Sequence, residues 1–392
     1  MESTSRQTSS RLKSLWQQVS WPVLAFLVTR LGLFLLVWLG LVLLPVLTGE
    51  GLWRAFPQIL FLDGRSRWDS GWYVDIAQNG YSKELQNVYL NTAFFPLYPL
   101  LIKGLQAFLG NYHTAGLLIS NLSLLAACVL LYKLVAGRFS EEVARKSLLL
   151  LLLSPFSFYF SAVYSESLFL LLVVLVFFFS TRRKWFWAAL CSALAGATRL
   201  VGVLTILPLL WFYLESIGFK WRNLRAAVLW PALGLLGPGS YMLFQALKFG
   251  DPFLFIKSQN APGWKEGVSL FSALDALRLT FSWDALRTGD FPAIYALHVL
   301  AFLFGLSLLI VTRRKLPFAW WIWALLTLLV SFSVWISMGR FMIVLFPLCV
   351  GAALLFKEKV FNTLLFGSTL LLGLLVILFS RSEEHTSELQ SH

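Results

Sequence analysis

The chain has 392 residues, of which 58% are apolar and only 13% charged, with 35 Phe and 17 Trp. Soluble domains carry about a quarter charged residues, so a water-soluble protein of this length is excluded. The formal charge of +13 does not point to nucleic acid, because the basic residues stand in short clusters between apolar runs, as the positive-inside rule places them.

In chain order, a Ser-rich basic start leads into an apolar run from about Trp21 to Val46. That run is too long for a signal-peptide core and reads as a first span with a cytoplasmic start. Further spans are expected near 114–136, 147–160, 165–180, 185–198, 200–216, 226–247, 291–311, 317–335, 341–356 and 361–380. Every second boundary carries a Lys/Arg cluster, for example Lys133, Arg138, Arg145 and Lys146, then Arg182, Arg183 and Lys184. The alternation fixes an expected sidedness, with the N-terminus in the cytoplasm. Two large loops, about 48–113 and 248–290, then fall outside. Residues 70–79 and 97–109 of the first read as short helices lying along the membrane surface. The second holds SLFSALDALRLTFSWDALR, with Asp275, Arg278, Asp284 and Arg287 opposite an apolar face.

The expected fold is therefore an all-α polytopic bundle of about 11 transmembrane helices, forming a single membrane domain over 1–380. The last twelve residues, RSEEHTSELQSH, resemble the in-frame translation of a sequencing adapter. They are set aside as a non-native tail, with the natural chain expected to continue past Ser380. Cys128, Cys191 and Cys349 all fall in apolar runs, with neither disulfide nor metal spacing.

The densest polar and aromatic cluster is RSRWDSGWYVDIAQNGY, Arg65 to Tyr81, followed by NTAFFPLYPLL, Asn91 to Leu101. An aspartate such as Asp69, among aromatic residues at a bilayer surface, is costly unless it is used or paired. A purely structural role would make it an ion-pair partner of Arg65 or Arg67, or the N-cap of the helix it opens. Asp75, six positions on, turns through about 600° of helix and falls on a different face.

The ordered motifs resemble the PIG-V family of mannosyltransferases, within the GT-C superfamily of membrane glycosyltransferases. They are WDSGWYVDIAQNGY at Trp68–Tyr81, AFFPLYPLL at Ala93–Leu101 and SPFSFYFSAVYSESLF at Ser154–Phe169. ATRLVG at Ala197–Gly202, GDPFLFIKSQ at Gly250–Gln259 with Trp264, and SMGRFMIVLFPL at Ser337–Leu348 complete the series. The resemblance implies a GT-C-type bundle, an acidic catalytic residue in the first outer loop and a polyprenyl- or dolichyl-phosphate sugar as donor. Asp69 matches the family's Trp–Asp motif, flanked by Arg67, Trp68, Trp72 and Tyr73 as substrate-binding candidates. At Trp72 the chain departs from eukaryotic members, which more often carry histidine there.

One carboxylate suffices for this chemistry. A phosphate-linked sugar already has a good leaving group, so one base must take the acceptor proton and cations must hold the developing phosphate charge. Back-side attack then inverts the anomeric carbon. Arg199, Arg340 and Lys257 are the candidate phosphate contacts, since a guanidinium fork suits phosphate oxygens; snorkelling to lipid headgroups is the alternative. Glu166 is a substrate contact, a second carboxylate orienting the acceptor, the partner of Arg199, or a match to its helix dipole. Gln259 and Trp264 are assigned to the acceptor groove. His113 and His298 read as structural. No metal site and no cofactor beyond the lipid-phosphate sugar substrate is expected.

The expected partners are that donor, the bilayer, and a glycan, glycolipid or protein acceptor. The expected location is the plasma (inner) membrane with an extracytoplasmic active site, or the endoplasmic reticulum membrane in a eukaryote. A polytopic transporter or lipid flippase, using Arg30, Glu166, Arg199, Glu215 and Arg340 as a path, is the alternative from another class.

Overall fold

The computed structural model describes residues 2–44, 55–56, 59–81, 84–85, 88–259, 278, 282, 293–332 and 337–381. Helix α1 runs Glu2–Leu43 and α2 is a single turn at Leu60–Asp63. Helices α3 (Ser70–Asn79) and α4 (Leu97–Leu109) occupy the two stretches expected to be helical in the first loop. Then follow α5 (Tyr112–Arg138), α6 (Glu141–Leu152), α7 (Glu166–Ser180), α8 (Trp185–Thr198), α9 (Ile206–Ser216), α10 (Leu236–Phe249) and α11 (Leu254–Gln259). After a stretch outside the described residues come α12 (Ala293–Thr312), α13 (Phe318–Ser331), α14 (Met338–Ile343), α15 (Phe346–Leu355) and α16 (Glu358–Arg381). The only departure from helix and turn among the described residues is a two-residue antiparallel ladder, Glu84–Leu85 against Val88–Tyr89.

Local chemistry sets the helix starts. Asn111 caps α5 by accepting from the Thr114 N–H at 2.9 Å, and Ser140 caps α6 by accepting from Val143 at 3.2 Å. Lys146 ties α6 to α16 through Glu142 at 2.6 Å and Glu358 at 3.0 Å.

The outer surface of the bundle identifies its solvent. Leu24, Val28, Leu31 and Leu35 form an exposed stripe along α1, and Phe366, Leu370, Leu374 and Leu378 do so along α16. Apolar stripes of that length face lipid, not water. Among the described residues, four helices are long and apolar enough to cross a membrane by length and composition: Gln18–Leu43, Tyr112–Arg138, Ala226–Phe249 and Glu358–Arg381. Shorter apolar helices stand between them, including Glu166–Ser180, Trp185–Thr198 and Phe318–Ser331.

Several expected spans are not continuous α-helix: 200–216 and 226–247 each begin as 3-10 helix, over Leu200–Thr205 and Ala226–Leu235, and two more break close to the site. The stretch 147–160 stops helically at Leu152, ahead of Pro155, and resumes as a 3-10 turn at Ser157–Ser161. Arg30 of α1 satisfies the freed carbonyls there, donating to Ser157 O at 3.0 Å and to Leu152 O. The stretch 341–356 divides into α14 and α15, with Pro347 in the first turn of the second. The amphipathic segment around Asp275 to Arg287 lies outside the described residues, apart from Arg278 and Ser282.

Candidate active site

The strap 63–69 carries Asp69 and is pinned on both sides. Arg67 pairs with Asp63 at 2.8 Å and donates to Ser380 O at 3.1 Å. Arg65 O accepts from Val163 N at 3.1 Å, and Tyr164 OH donates to Arg67 O at 3.2 Å. Trp68 adopts φ = 54°, a left-handed conformation that costs a non-glycine residue roughly 1–2 kcal/mol. Strain of this kind persists only where the surroundings impose it. It falls on the residue before Asp69.

Asp69 stands at the N-cap position of α3, yet its side chain makes no capping bond. Neither Arg65 nor Arg67 is its partner. The Arg65 guanidinium lies 4.0 Å from the centre of the Phe34 ring; burial, then the charge of Arg30, pulls its pKa down to about 9. The cation that reaches Asp69 is Arg340, whose Nη1 donates to Asp69 Oδ2. The Nε of the same guanidinium donates to Glu166 Oε1 at 2.8 Å, and Arg199 Nη1 donates to that same oxygen at 2.7 Å.

Two carboxylates and two guanidiniums thus form one chain, Asp69–Arg340–Glu166–Arg199, drawn from four separate parts of the sequence. Its formal charge is zero. Glu166 is 0% exposed, while the side chains of Asp69, Arg340 and Arg199 are 21%, 13% and 13% exposed. The network is rooted in the protein through Glu166 and opens outward at Asp69. Burial opposes the charge of Arg340, but the Asp69 and Glu166 carboxylates outweigh it and hold its pKa well above the ordinary arginine value.

Backbone features aim each member. Glu166 is the first residue of α7, where the helix dipole favours a carboxylate. Arg199 is extended (φ = −153°, ψ = 140°) between α8 and the 3-10 turn Leu200–Thr205. That turn folds so tightly onto α8 that a Cβ on Gly202 would lie 2.3 Å from Ala195 C and O. Beside Arg340, a Cβ on Gly339 would lie 2.5 Å from the Phe156 ring. That ring is itself stacked on His298, with centroids 5.2 Å apart, and His298 Nδ1 accepts the Gly339 N–H at 3.0 Å.

Aromatic side chains wall the network. The Arg340 guanidinium carbon lies 5.3 and 4.7 Å from the ring centres of Tyr159 and Tyr164, within cation–π reach. Tyr73 OH shares a hydrogen bond with Ser165 Oγ at 2.8 Å. Burial first, then the Glu166 charge, pushes its phenol up to about 12, so it is protonated at neutral pH. Tyr159, Tyr164, Ser165, Phe156, His298 and Gly339 were not among the sequence candidates. All but His298 lie in the two motifs that carry Glu166 and Arg340, and that proximity was their signal; His298 had none.

The remaining candidates lie apart from the ion chain. Arg67, expected to bind substrate, is buried, pairs with Asp63 and donates to Ser380 O, contacts that hold the strap. Trp72 is buried and stacked on Phe94, with centroids 6.2 Å apart, whereas Trp68 is 42% exposed. Lys257, expected at the phosphate, pairs with Asp251 at 2.5 Å and points outward, 66% exposed. Gln259 ends α11 and is half-buried; Trp264 lies outside the described residues. Asp75 bonds Asn79 and Asn91, at 2.9 and 3.4 Å. His113 bonds Ser66 Oγ at 2.6 Å.

The structure thus combines a lipid-facing helical bundle with a carboxylate–arginine chain gathered at the start of α7. The family model Mannosyltransferase (PIG-V) matches residues 57–220. Over that stretch the chain is similar to the PIG-V mannosyltransferases, which supports a PIG-V-like family. Asp69, Glu166 and Arg199 fall inside the matched stretch; Arg340 lies beyond it and is joined to it by its contacts with Asp69 and Glu166. None of the curated proteins matches the chain.

Proposed function

We propose that the chain transfers a mannosyl group from a polyprenyl-phosphate donor to an extracytoplasmic acceptor, with Asp69 as general base and inversion at the anomeric carbon. The observation that carries this reading is the position of Arg340 between Asp69 and Glu166. The charges balance in the free protein, so an anionic phosphate gains most by taking the place of one carboxylate. Asp69 is the exchangeable one, at 21% exposure against 0% for Glu166. Donor binding then does two things at once. The phosphate takes over Arg340, with Arg199 beside it, and the Asp69 oxygen is released to accept the acceptor hydroxyl's proton. As the glycosidic bond breaks, charge grows on the phosphate oxygens that the two guanidiniums already hold. Glu166 keeps both arginines in place throughout.

The bundle as a whole is read as a GT-C-type fold of about eleven spans. Basic residues Arg182, Arg183 and Lys184 follow the far end of α7 from Glu166, which the positive-inside rule assigns to the cytoplasm. The ion chain then faces the opposite side of the membrane. A transporter would instead need its charges along a path through mid-depth.

The test is incubation of purified protein with a panel of labelled polyprenyl-phosphate sugars and a nucleotide-sugar control. The expected result is consumption of the polyprenyl-phosphate mannose, with an inverted product anomer. Consumption of the nucleotide sugar alone, or a retained anomer, would falsify the assignment.

A further inference from the structure

A second feature with ligand-binding character lies at the opposite end of α7 from the ion chain. The helix is 15 residues long, so its two ends stand about 21 Å apart at ~1.5 Å per residue. There the ends of α5, α7 and α9 and the starts of α8 and α13 enclose a cleft of about 640 Å³. That volume falls among small-molecule sites, which run roughly 300–1,000 Å³.

The lining is cationic. Lys133, Arg138, Arg182 and Arg183 border it, against the single carboxylate of Glu215. Arg182 is committed to its own helix, donating to Phe178 O at 3.0 Å with its guanidinium 3.4 Å from the Phe178 ring centre. The acidic residues that follow Arg138 in sequence are also taken: Glu141 by Arg145 at 3.6 Å and Glu142 by Lys146 at 2.6 Å. Among the described residues, Lys133, Arg138 and Arg183 enter no ion pair, and they face one space from two segments, the end of α5 and the turn between α7 and α8.

A single-sign cleft of this kind attracts an anion. The tryptophans say which sort. Trp185 and Trp320 line the same cleft, and the neighbouring Phe186 and Trp187 are 43% and 52% exposed on the apolar outside of α8. Amphipathic aromatic rings at the ends of apolar helices mark the membrane interface. Basic pockets between helix ends at that level suit phosphodiester headgroups, whose acyl chains continue along the apolar helix faces.

We propose that this cleft binds the headgroup of an anionic phospholipid, held by Lys133, Arg138 and Arg183. The site is separate from the transfer chemistry and does not depend on it. The lipid would brace the meeting point of α5, α7, α9 and α13 from the basic side of the bundle.

The test uses the full chain in nanodiscs of phosphatidylcholine doped with phosphatidylglycerol, and native mass spectrometry to count retained lipids. A triple variant, Lys133→Gln, Arg138→Gln and Arg183→Gln, is compared with Lys220→Gln, Arg222→Gln and Arg225→Gln, which removes equal charge from the same end outside the cleft. Size-exclusion behaviour confirms that both fold. With each basic residue near a membrane surface contributing on the order of a few-fold in affinity or more, the cleft variant should retain phosphatidylglycerol at least tenfold more weakly. The outer variant should keep it. Equal losses in both variants, or no loss in either, overturn the proposal. Release of the lipid by millimolar inorganic phosphate or glycerol phosphate would make a soluble anion the ligand, and that too overturns it.

Discussion

Replacing Glu166 by glutamine removes one charge from the buried centre of the network while leaving an acceptor oxygen for both arginines. The two bonds involved, 2.7 Å from Arg199 and 2.8 Å from Arg340, are charge-assisted. Such bonds contribute about 1.5–3 kcal/mol each, and neutral ones about 0.5–1.5 kcal/mol. The pair therefore loses ~2–3 kcal/mol. Breaking a buried ion pair from one side costs about 3–5 kcal/mol, and this overlaps with the first figure because both describe the same contacts. The arginines are 13% exposed, which favours the lower end, ~3 kcal/mol. In a chain of this size that is a fall of roughly 4 °C in thermal midpoint. The sign for ligand binding is opposite: the site moves from neutral to +1, so a phosphate-bearing donor binds no more weakly, and more tightly at low salt. Tryptophan-fluorescence melting in detergent and donor binding at two salt concentrations read both quantities. A variant that melts with the wild type, or that binds donor tenfold more weakly, refutes this account of Glu166.

Other perturbations separate the roles further. Arg340→Ala and Arg199→Ala should each raise the apparent Michaelis constant for donor by roughly 10–100-fold, the equivalent of one or two charge-assisted bonds; an unchanged constant for both removes them from the phosphate site. Gly339→Ala should impair transfer without touching substrate, because the added methyl meets a Phe156 ring held against His298. Overpacking of this kind costs about 1–3 kcal/mol, seen as lower turnover and a reduced thermal midpoint; full activity would show that Arg340 tolerates a shift. The phenol of Tyr73 is raised to about 12 in the fold, so its contribution to stability is complete below its ordinary value near pH 10 and is lost as pH climbs from there through about 12. Stability of Tyr73→Phe should fall less steeply than that of the wild type across that alkaline window, and identical slopes would contradict the burial argument.

The helical course was legible because it depends on local signals. Apolar runs bounded by Lys/Arg clusters located the segments, and the short helices expected at 70–79 and 97–109 are present. The breaks were not legible in the same way. Pro155 marks a break in the apolar run 147–160, but nothing in that run shows that Arg30, 127 positions before Ser157, satisfies the freed carbonyls. The site divides along the same line. Asp69, Glu166, Arg199 and Arg340 each drew attention as charges at apolar borders, and the structure gathers all four. The pairing among them was hidden, since Asp69 and Arg340 lie 271 positions apart and sequence neighbours offered Arg65 and Arg67 instead. Those nearby arginines are claimed by Phe34 and by Asp63. Lys257 looked equivalent to the arginines in its motif, yet a local aspartate, Asp251, takes it.

The most direct measurement is single-turnover transfer by Asp69→Asn at saturating polyprenyl-phosphate mannose, with donor affinity determined on the same preparation. Loss of a general base should slow transfer by about 10²–10⁴-fold. Donor affinity should hold or rise, because the amide competes less well than the carboxylate for Arg340. Transfer at the wild-type rate would contradict the account, and so would a variant that binds donor much more weakly.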